Sequence, residues 1–137
     1  MKQNIPVYDY IGHKLLKAKI NRDKDGLLDF IGIKVNNGTL IEENVYVINI
    51  IITIKYNNND PSELIFESSF KINDLNWKEQ VQSPLLESLF LSVTFPYIRS
   101  KIYSITDDIR GGLNIPIIDL RNVDVTTGIK LTPNYDN

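Results

Sequence analysis

The chain has 137 residues, of which 42% are hydrophobic and 23% are charged, a composition typical of one globular domain with a single core. Its net charge of −2 provides no excess of basic residues for binding phosphates, which argues against a nucleic-acid partner. Cysteine is absent, so disulfides, thiolate nucleophiles and zinc–thiolate sites are excluded. The first ten residues, "MKQNIPVYDY", lack the apolar run of a signal peptide, and no aliphatic run could cross a bilayer. A cytoplasmic protein without membrane insertion is therefore expected.

Four segments alternate apolar and polar residues at period two, the pattern of half-buried strands. They are "KLLKAKIN" (14–21), "LLDFIGIKV" (27–35), "NVYVINIIITIKY" (44–56) and "ELIFESSFKI" (63–72). In the first, Leu16, Ala18 and Ile20 are predicted to share the buried face. The link "RDKDG" between the first two reads as a turn, because Gly26 tolerates positive φ. Four strands joined by short links predict an antiparallel meander with one apolar face that needs a cover.

That cover is predicted to be a long helix running from about Pro84 to the "RGG" at residues 110–112. Its apolar residues form two stripes on a helical wheel. The first stripe is Leu86, Leu89, Phe90, Val93 and Tyr97, and the second is Leu91, Phe95, Ile98, Ile102, Ile105 and Ile109. Because one sheet can cover only one stripe, the second is expected to form an interface with another copy of the chain or to bind an apolar segment.

Pro96, at the centre of this pattern, predicts a helix that is either kinked or broken into two. The residues after the helix contain Pro116, Pro133 and many β-branched side chains, which disfavour another long helix. An extended loop and a loosely ordered tail over 124–137 are expected. The sequence thus predicts one α+β domain spanning 1–137, with its core over about 12–123.

Few residues suggest catalysis. His13 is the only histidine, and no Ser–His–acid arrangement can be assembled around it. Asp107 and Asp108 are adjacent and would be splayed on a helix, and "DKDG" (23–26) lacks the spaced ligands and closing glutamate of a calcium loop. We therefore predict no enzyme, no cofactor and no metal site.

Two stretches, "LFLSVTFPYIRSKIYSIT" and "RGGLNIPIIDLRNV", resemble the SecB protein-export chaperone family. The family's "FPYAR"-type motif and its "RG" turn followed by an "LNL-P" crossover loop are matched, over a resemblance that covers about 15–123. Pro116 lies one place earlier than in the commonest form of the loop. The matching residues are Phe95, Pro96, Tyr97, Arg99, Arg110, Gly111, Leu113 and Asn114.

The resemblance implies a bacterial, ATP-independent chaperone that holds non-native polypeptides, assembles as a homodimer or homotetramer and serves protein export with an export motor as a partner. It also implies that the crossover loop borders the client groove, which assigns client binding to Leu113, Ile115, Pro116, Ile117 and Ile118. The family presents carboxylates to the motor on the outer sheet face. Here lysines are mixed among Glu63 and Glu67.

Three functions are compatible with these observations. The first is a SecB-like chaperone that binds apolar segments of many unfolded or partly folded proteins. The second is an adaptor or assembly factor with one dedicated partner, such as the chaperone of a toxin–antitoxin pair. In the third, self-association covers the whole second stripe and leaves no groove.

Overall fold

The computed structural model describes residues 7–22, 27–73, 85–107, 111–116, 118–120 and 123–133. These residues form a sheet and one long helix, which confirms the α+β class predicted from the sequence. The strands are β1 (Tyr8–Lys19), β2 (Leu28–Val35), β3 (Thr39–Ile41), β4 (Val45–Tyr56), β5 (Ser62–Ile72) and β6 (Ile129–Leu131). The helix is α1 (Leu85–Thr106), and a 3₁₀ turn, Glu42–Asn44, joins β3 to β4.

The sheet has six antiparallel strands in the order β1-β5-β4-β2-β6, with β3 paired to β4 beyond the end of β2. The prediction of a four-stranded meander was therefore wrong in strand number and in order. β3 and β6 have three residues each, too few for a period-two pattern to stand out. β1 pairs with β5 and not with β2, and the Asn21 N–H donates to Ser62 Oγ (2.7 Å) where β1 meets β5.

β1 begins earlier than predicted and carries two irregularities in its pairing with β5, between Tyr10 and Gly12 and between Leu15 and Lys17. Each irregularity leaves one extra residue on β1, a β-bulge, which reverses the side-chain alternation downstream. Leu16, predicted to be buried, is therefore 50% exposed, whereas Leu15 packs against the core. Ala18 is also exposed. Ile20, the third residue of that predicted face, does pack against the core.

The core lies on the inner face of the sheet, and β4 is its centre. Six alternate residues of β4 are buried there, as the period-two pattern predicts: Tyr46, Ile48, Ile50, Ile52, Ile54 and Tyr56. Leu64, Phe66, Phe70 and Ile72 of β5 continue this surface. Each fully buried side chain of this size contributes about 1.5–3 kcal/mol relative to an exposed one.

α1 packs on this face and continues through Pro96 without a break, so a helix broken in two at this position was a wrong prediction. Pro96 cannot donate to the carbonyl of Ser92, one turn earlier. Both Ser92 and Pro96 are exposed, so water can satisfy that carbonyl. Solvent exposure of this row explains why a proline is tolerated in mid-helix. The helix ends at Thr106, earlier than the predicted end at residues 110–112.

The segment after α1 turns back and packs along the helix. Its residues Ile115, Leu120 and Val125 are buried in the same core, and Ser88 of α1 donates its hydroxyl hydrogen to the carbonyl of Val123 (2.5 Å). The chain then forms β6, which pairs with β2. Residues 129–131 are therefore an edge strand within the segment 124–137 that was predicted to be a loosely ordered tail.

Candidate functional site

A shallow cleft lies between the middle of α1 and the returning segment 111–116. Its volume is about 290 Å³, and its lining residues are Pro96, Arg99, Ser100, Tyr103, Asn114 and Ile115. The four helical positions stand at i, i+3, i+4 and i+7, so they lie on one side of the helix. The cleft thus has one wall from the helix and one from the crossover loop.

Hydrogen bonds fix the two walls relative to each other. The Arg99 Nε–H donates to the carbonyl of Ile115 (2.7 Å), which ties the loop to the centre of the helix. At the helix end, Thr106 Oγ1 donates to the carbonyl of Ile102 (2.8 Å) and accepts from the N–H of Leu113 (2.8 Å). The threonine hydroxyl therefore holds both the last turn and the start of the loop.

Two glycines allow the chain to reverse direction between these walls. Gly111 has φ of +85°, a conformation that side chains with a Cβ rarely adopt. At Gly112, a Cβ would lie 2.6 Å from the carbonyl oxygen of Tyr103, closer than van der Waals contact permits. The close approach of this loop to the helix therefore requires glycine at position 112.

Two tyrosines make the exposed side of α1 aromatic. Tyr97 is 52% exposed and Tyr103 is 40% exposed. Tyr97 stacks on Tyr10 (centroids 5.8 Å apart) and on His13 (5.2 Å), both from β1. The rigid rings of Tyr97 and Tyr103 offer contact area at a low cost in side-chain entropy.

The polar groups around the Tyr97 ring are partnered within the protein. His13 Nδ1 is hydrogen-bonded to the Tyr10 hydroxyl. Beneath them, the buried hydroxyls of Ser68 and Thr94 are 2.7 Å apart. Burial raises the pKa of Tyr10, with a smaller contribution from Tyr97, so this phenol is neutral at physiological pH. Within the described residues, no group of three or more His, Asp or Glu side chains could hold a metal ion.

The structure places the predicted client-binding residues at different depths. Ile115 is buried, Leu113 and Ile118 are half-buried against the core, and Pro116 is exposed. Ile117 lies outside the described residues. The loop therefore contributes to the cleft mainly through Asn114 and the edge of Ile115.

The residues predicted to form an oligomer interface lie mostly inside the protomer. Leu91, Phe95, Ile98 and Ile102 are buried in the same core cluster as the inner face of the sheet and residues of the returning segment. Ile105 is half-buried, and Ile109 lies outside the described residues. The four buried side chains have almost no surface left for a second copy.

The family motif residues divide by role. Phe95 is in the core, whereas Tyr97 is exposed. Pro96 and Asn114 line the cleft. Arg99 and Leu113 make the hydrogen bonds that join the loop to the helix, and Gly111 supplies the turn. Arg110 lies outside the described residues. Sequence reasoning missed Ser100 and Tyr103, although both follow Pro96 at helical spacing on the row that lines the cleft.

No protein-family model and no curated protein sequence matches the chain. A solved structure does: the SecB-like chaperone Rv1957 of Mycobacterium tuberculosis in complex with a ChAD peptide from the Rv1956 HigA1 antitoxin. The TM-score is 0.60 at 15% sequence identity, over 82% of this chain and 88% of that one. This chain has a SecB-like fold. The similarity predicted from the "FPY" and "RGGLN" stretches is confirmed at the level of the fold.

Within the SecB-like fold, the cleft lies at the junction of the two stretches that carry the resemblance, since Pro96 and Arg99 belong to the first and Asn114 to the second. Among the described residues, no helix is long and apolar enough to span a membrane.

Proposed function

We propose that this protein is an ATP-independent chaperone that binds apolar segments of non-native polypeptides along the exposed side of α1. The observation that carries the proposal is the SecB-like fold, shared with a chaperone whose structure contains a bound peptide. The cleft beside Tyr103 and the exposed ring of Tyr97 provide the contact surface in this chain.

The physical properties of this surface suit extended chains better than compact ligands. At about 290 Å³ the cleft is at the lower limit of small-molecule pockets, and it is open to solvent. Apolar area buried there contributes about 25 cal/mol per Å², without regard to the order of the client's residues. Arg99 Nε–H already donates to Ile115, and the remaining directional groups of the cleft are on exposed side chains, those of Ser100, Tyr103 and Asn114, which can turn to suit different clients.

The second candidate is a dedicated adaptor with one protein partner. The neighbouring chaperone was solved with a peptide from a single antitoxin, which favours this role. A chaperone binds many unrelated unfolded chains, whereas an adaptor retains one partner in stoichiometric amount. Affinity purification followed by mass spectrometry separates the two, because a mixture of clients supports the first and one stoichiometric partner supports the second.

We extend the proposal to a homodimer or homotetramer in the bacterial cytoplasm that delivers clients for export, with an export motor as a further partner. On α1, the half-buried residues Leu89, Val93 and Ile105 offer apolar surface for self-association. The loop residues Leu113, Ile115, Pro116, Ile117 and Ile118 remain the proposed border of the client site.

The proposal is tested by aggregation of a chemically denatured substrate protein diluted into buffer with this protein. Suppression of light scattering at stoichiometric amounts without ATP is expected. Tyr103→Ser should weaken suppression, because it removes an aromatic contact from the cleft. Leu16→Ser is the matched control, since Leu16 is an exposed apolar residue on β1 that does not line the cleft. Absence of suppression by the unaltered protein would exclude the chaperone role.

A further inference from the structure

The outer face of the sheet, on the side away from α1, has a charge opposite to that of the whole chain. The strand register directs seven lysines to this side: Lys14, Lys17, Lys19, Lys34, Lys55, Lys71 and Lys130. The same register places three carboxylates there, those of Asp9, Glu63 and Glu67. Among the described strand residues, seven cations and three anions give this face a net charge of +4, against −2 for the chain. Counting Asp29, in the bulge of β2, lowers the value to +3.

Internal ion pairs account for only part of this charge. Lys14 pairs with Glu67 (3.5 Å) and Lys17 pairs with Glu63 (2.9 Å). Lys55 donates to the backbone carbonyls of residues 56 and 59, and Lys130 lies 4.5 Å from the centre of the Phe30 ring. Contacts with neutral groups position these two ammonium groups but do not neutralise them.

Between the lysines, the centre of the face is neutral and partly apolar. Ile51 of β4 is directly opposite Ile65 of β5, and both are half-buried because α1 covers only the other side of the sheet. Alternate residues of a strand are roughly 6.8 Å apart, the same spacing that an extended polypeptide presents on one side. Lys17 and Lys19 have this relation on β1. The face therefore combines cations with apolar contacts at the repeat of an extended chain.

We propose that this outer face docks an acidic, partly apolar polypeptide segment of a partner protein, with carboxylates on the lysines and apolar side chains over Ile51 and Ile65. Complementary charge speeds association and selects the partner, and the apolar centre supplies burial. A polypeptide fits better than a nucleic acid. All seven of these cations are lysines, without the arginine fork that binds phosphate in bidentate fashion, and the apolar centre at Ile51 and Ile65 suits apolar side chains better than a sugar–phosphate backbone.

The test uses a fluorescein-labelled peptide of alternating glutamate and leucine, with an alternating lysine–leucine peptide of equal length as the charge control. Fluorescence anisotropy should show binding of the acidic peptide alone, and binding should weaken when salt rises from about 50 to about 300 mM, because screening shortens the range of the lysine field. The double variants Lys34→Glu/Lys130→Glu and Lys19→Glu/Lys71→Glu should each bind roughly tenfold more weakly. Lys101→Glu, an exposed lysine on α1, should change the affinity by less than about twofold.

Three results would overturn the proposal: no binding of the acidic peptide at low salt, equal binding of both peptides, or equal affinity in the charge-reversed variants. Tighter binding of a single-stranded oligonucleotide of equal charge, dependent on the same lysines, would assign the face to nucleic acid instead. Thermal unfolding checks that each variant folds, and Lys→Gln replacements repeat the measurement for any that does not. Because the cleft is on the opposite side of the sheet, suppression of aggregation should be unchanged in these variants.

Discussion

Replacing Glu87 by leucine should destabilise the fold far more than removal of a surface carboxylate. Glu87 is a buried carboxylate in the first turn of α1. Its Oε1 accepts from the Tyr46 hydroxyl of β4 (2.9 Å) and from the N–H of Gly38 in the β2–β3 connection (3.1 Å). The carboxylate thus joins the helix start to two parts of the sheet. Leucine preserves much of the volume but accepts no hydrogen bond.

The magnitude follows from the two donors. Loss of an acceptor for a buried hydroxyl costs about 1–3 kcal/mol, and the partly exposed Gly38 N–H, which water can reach, adds up to about 1 kcal/mol. We therefore expect Glu87→Leu to lower the free energy of unfolding by about 1–4 kcal/mol. Glu67→Gln is the control. The ion pair of Glu67 with Lys14 is on the surface and contributes no more than about 1 kcal/mol.

Urea unfolding followed by circular dichroism measures both changes. A double-mutant cycle with Tyr46→Phe separates the hydroxyl contact from the rest, since Tyr46→Phe should cost less in the Glu87→Leu background than in the unaltered protein. A loss below about 1 kcal/mol for Glu87→Leu, or strict additivity of the two substitutions, would refute the role assigned to this carboxylate.

Three further predictions concern the core and the helix. Burial, the hydrogen bond to Glu87 and the charge of Glu87 raise the pKa of Tyr46 above its usual value of about 10. As the pH rises, the unfolded chain therefore releases the Tyr46 proton before the folded protein does. Below pH 10 the unaltered protein should keep its full stability advantage over Tyr46→Phe, and above pH 10 this advantage should fall by about 1.4 kcal/mol per pH unit in urea titrations. A difference in stability that stays constant with pH would contradict this. Pro96→Ala restores a helical N–H and should raise the free energy of unfolding by about 1–3 kcal/mol; a lower thermal midpoint would show that the proline stabilises the helix. Ile102→Lys buries a charge in the core and should abolish the cooperative unfolding transition, whereas Leu89→Lys, at a half-buried position, should retain it with a lower midpoint. An equal loss of stability in the two variants would contradict the different burial assigned to Ile102 and Leu89.

The strand interiors and the helix could be predicted from the sequence because their signals are periodic. The alternation of β4 gave the correct buried face over its whole length, and the apolar spacing of α1 located the helix to within a few residues of its described start. Strand order could not be obtained in this way. Period-two patterns identify which face of a strand is buried but carry no information about which strands are neighbours, so the pairing of β1 with β5 was missed.

The position of β1 in the sheet shows a second limit of pattern reasoning. The bulge at Leu16 leaves this residue exposed and lets Leu15 pack on the core, while the later residue Ile20 keeps its predicted face; nothing in "KLLKAKIN" distinguishes this from a regular strand. The burial of α1 shows a third limit of pattern reasoning. Residues 111–125 carry no helical or strand pattern, yet Ile115 and Val125 from this segment are buried in one core with the helix residues that were predicted to be in surplus. A segment without a regular spacing of apolar residues gives no periodic signal, even where its side chains pack in the core.

The cleft could be predicted only in part. The motif stretches identified Pro96, Arg99 and Asn114, which do line it. Ile115 was predicted to contact the client, but its side chain serves the core and its carbonyl accepts from Arg99. From the sequence alone, a β-branched residue in a loop is easily interpreted as exposed apolar surface. Its burial becomes evident only from the packing of the loop against the helix.

Binding of non-native polypeptide to the exposed side of α1 can be observed residue by residue by NMR of the ¹⁵N-labelled protein with a permanently unfolded polypeptide. We expect the backbone signals of Ser100, Tyr103 and Asn114 to shift or broaden on titration, while those of Lys34 and Ile51 on the outer face do not. Unchanged signals at the cleft at saturating polypeptide, or changes confined to the outer face, would contradict this expectation.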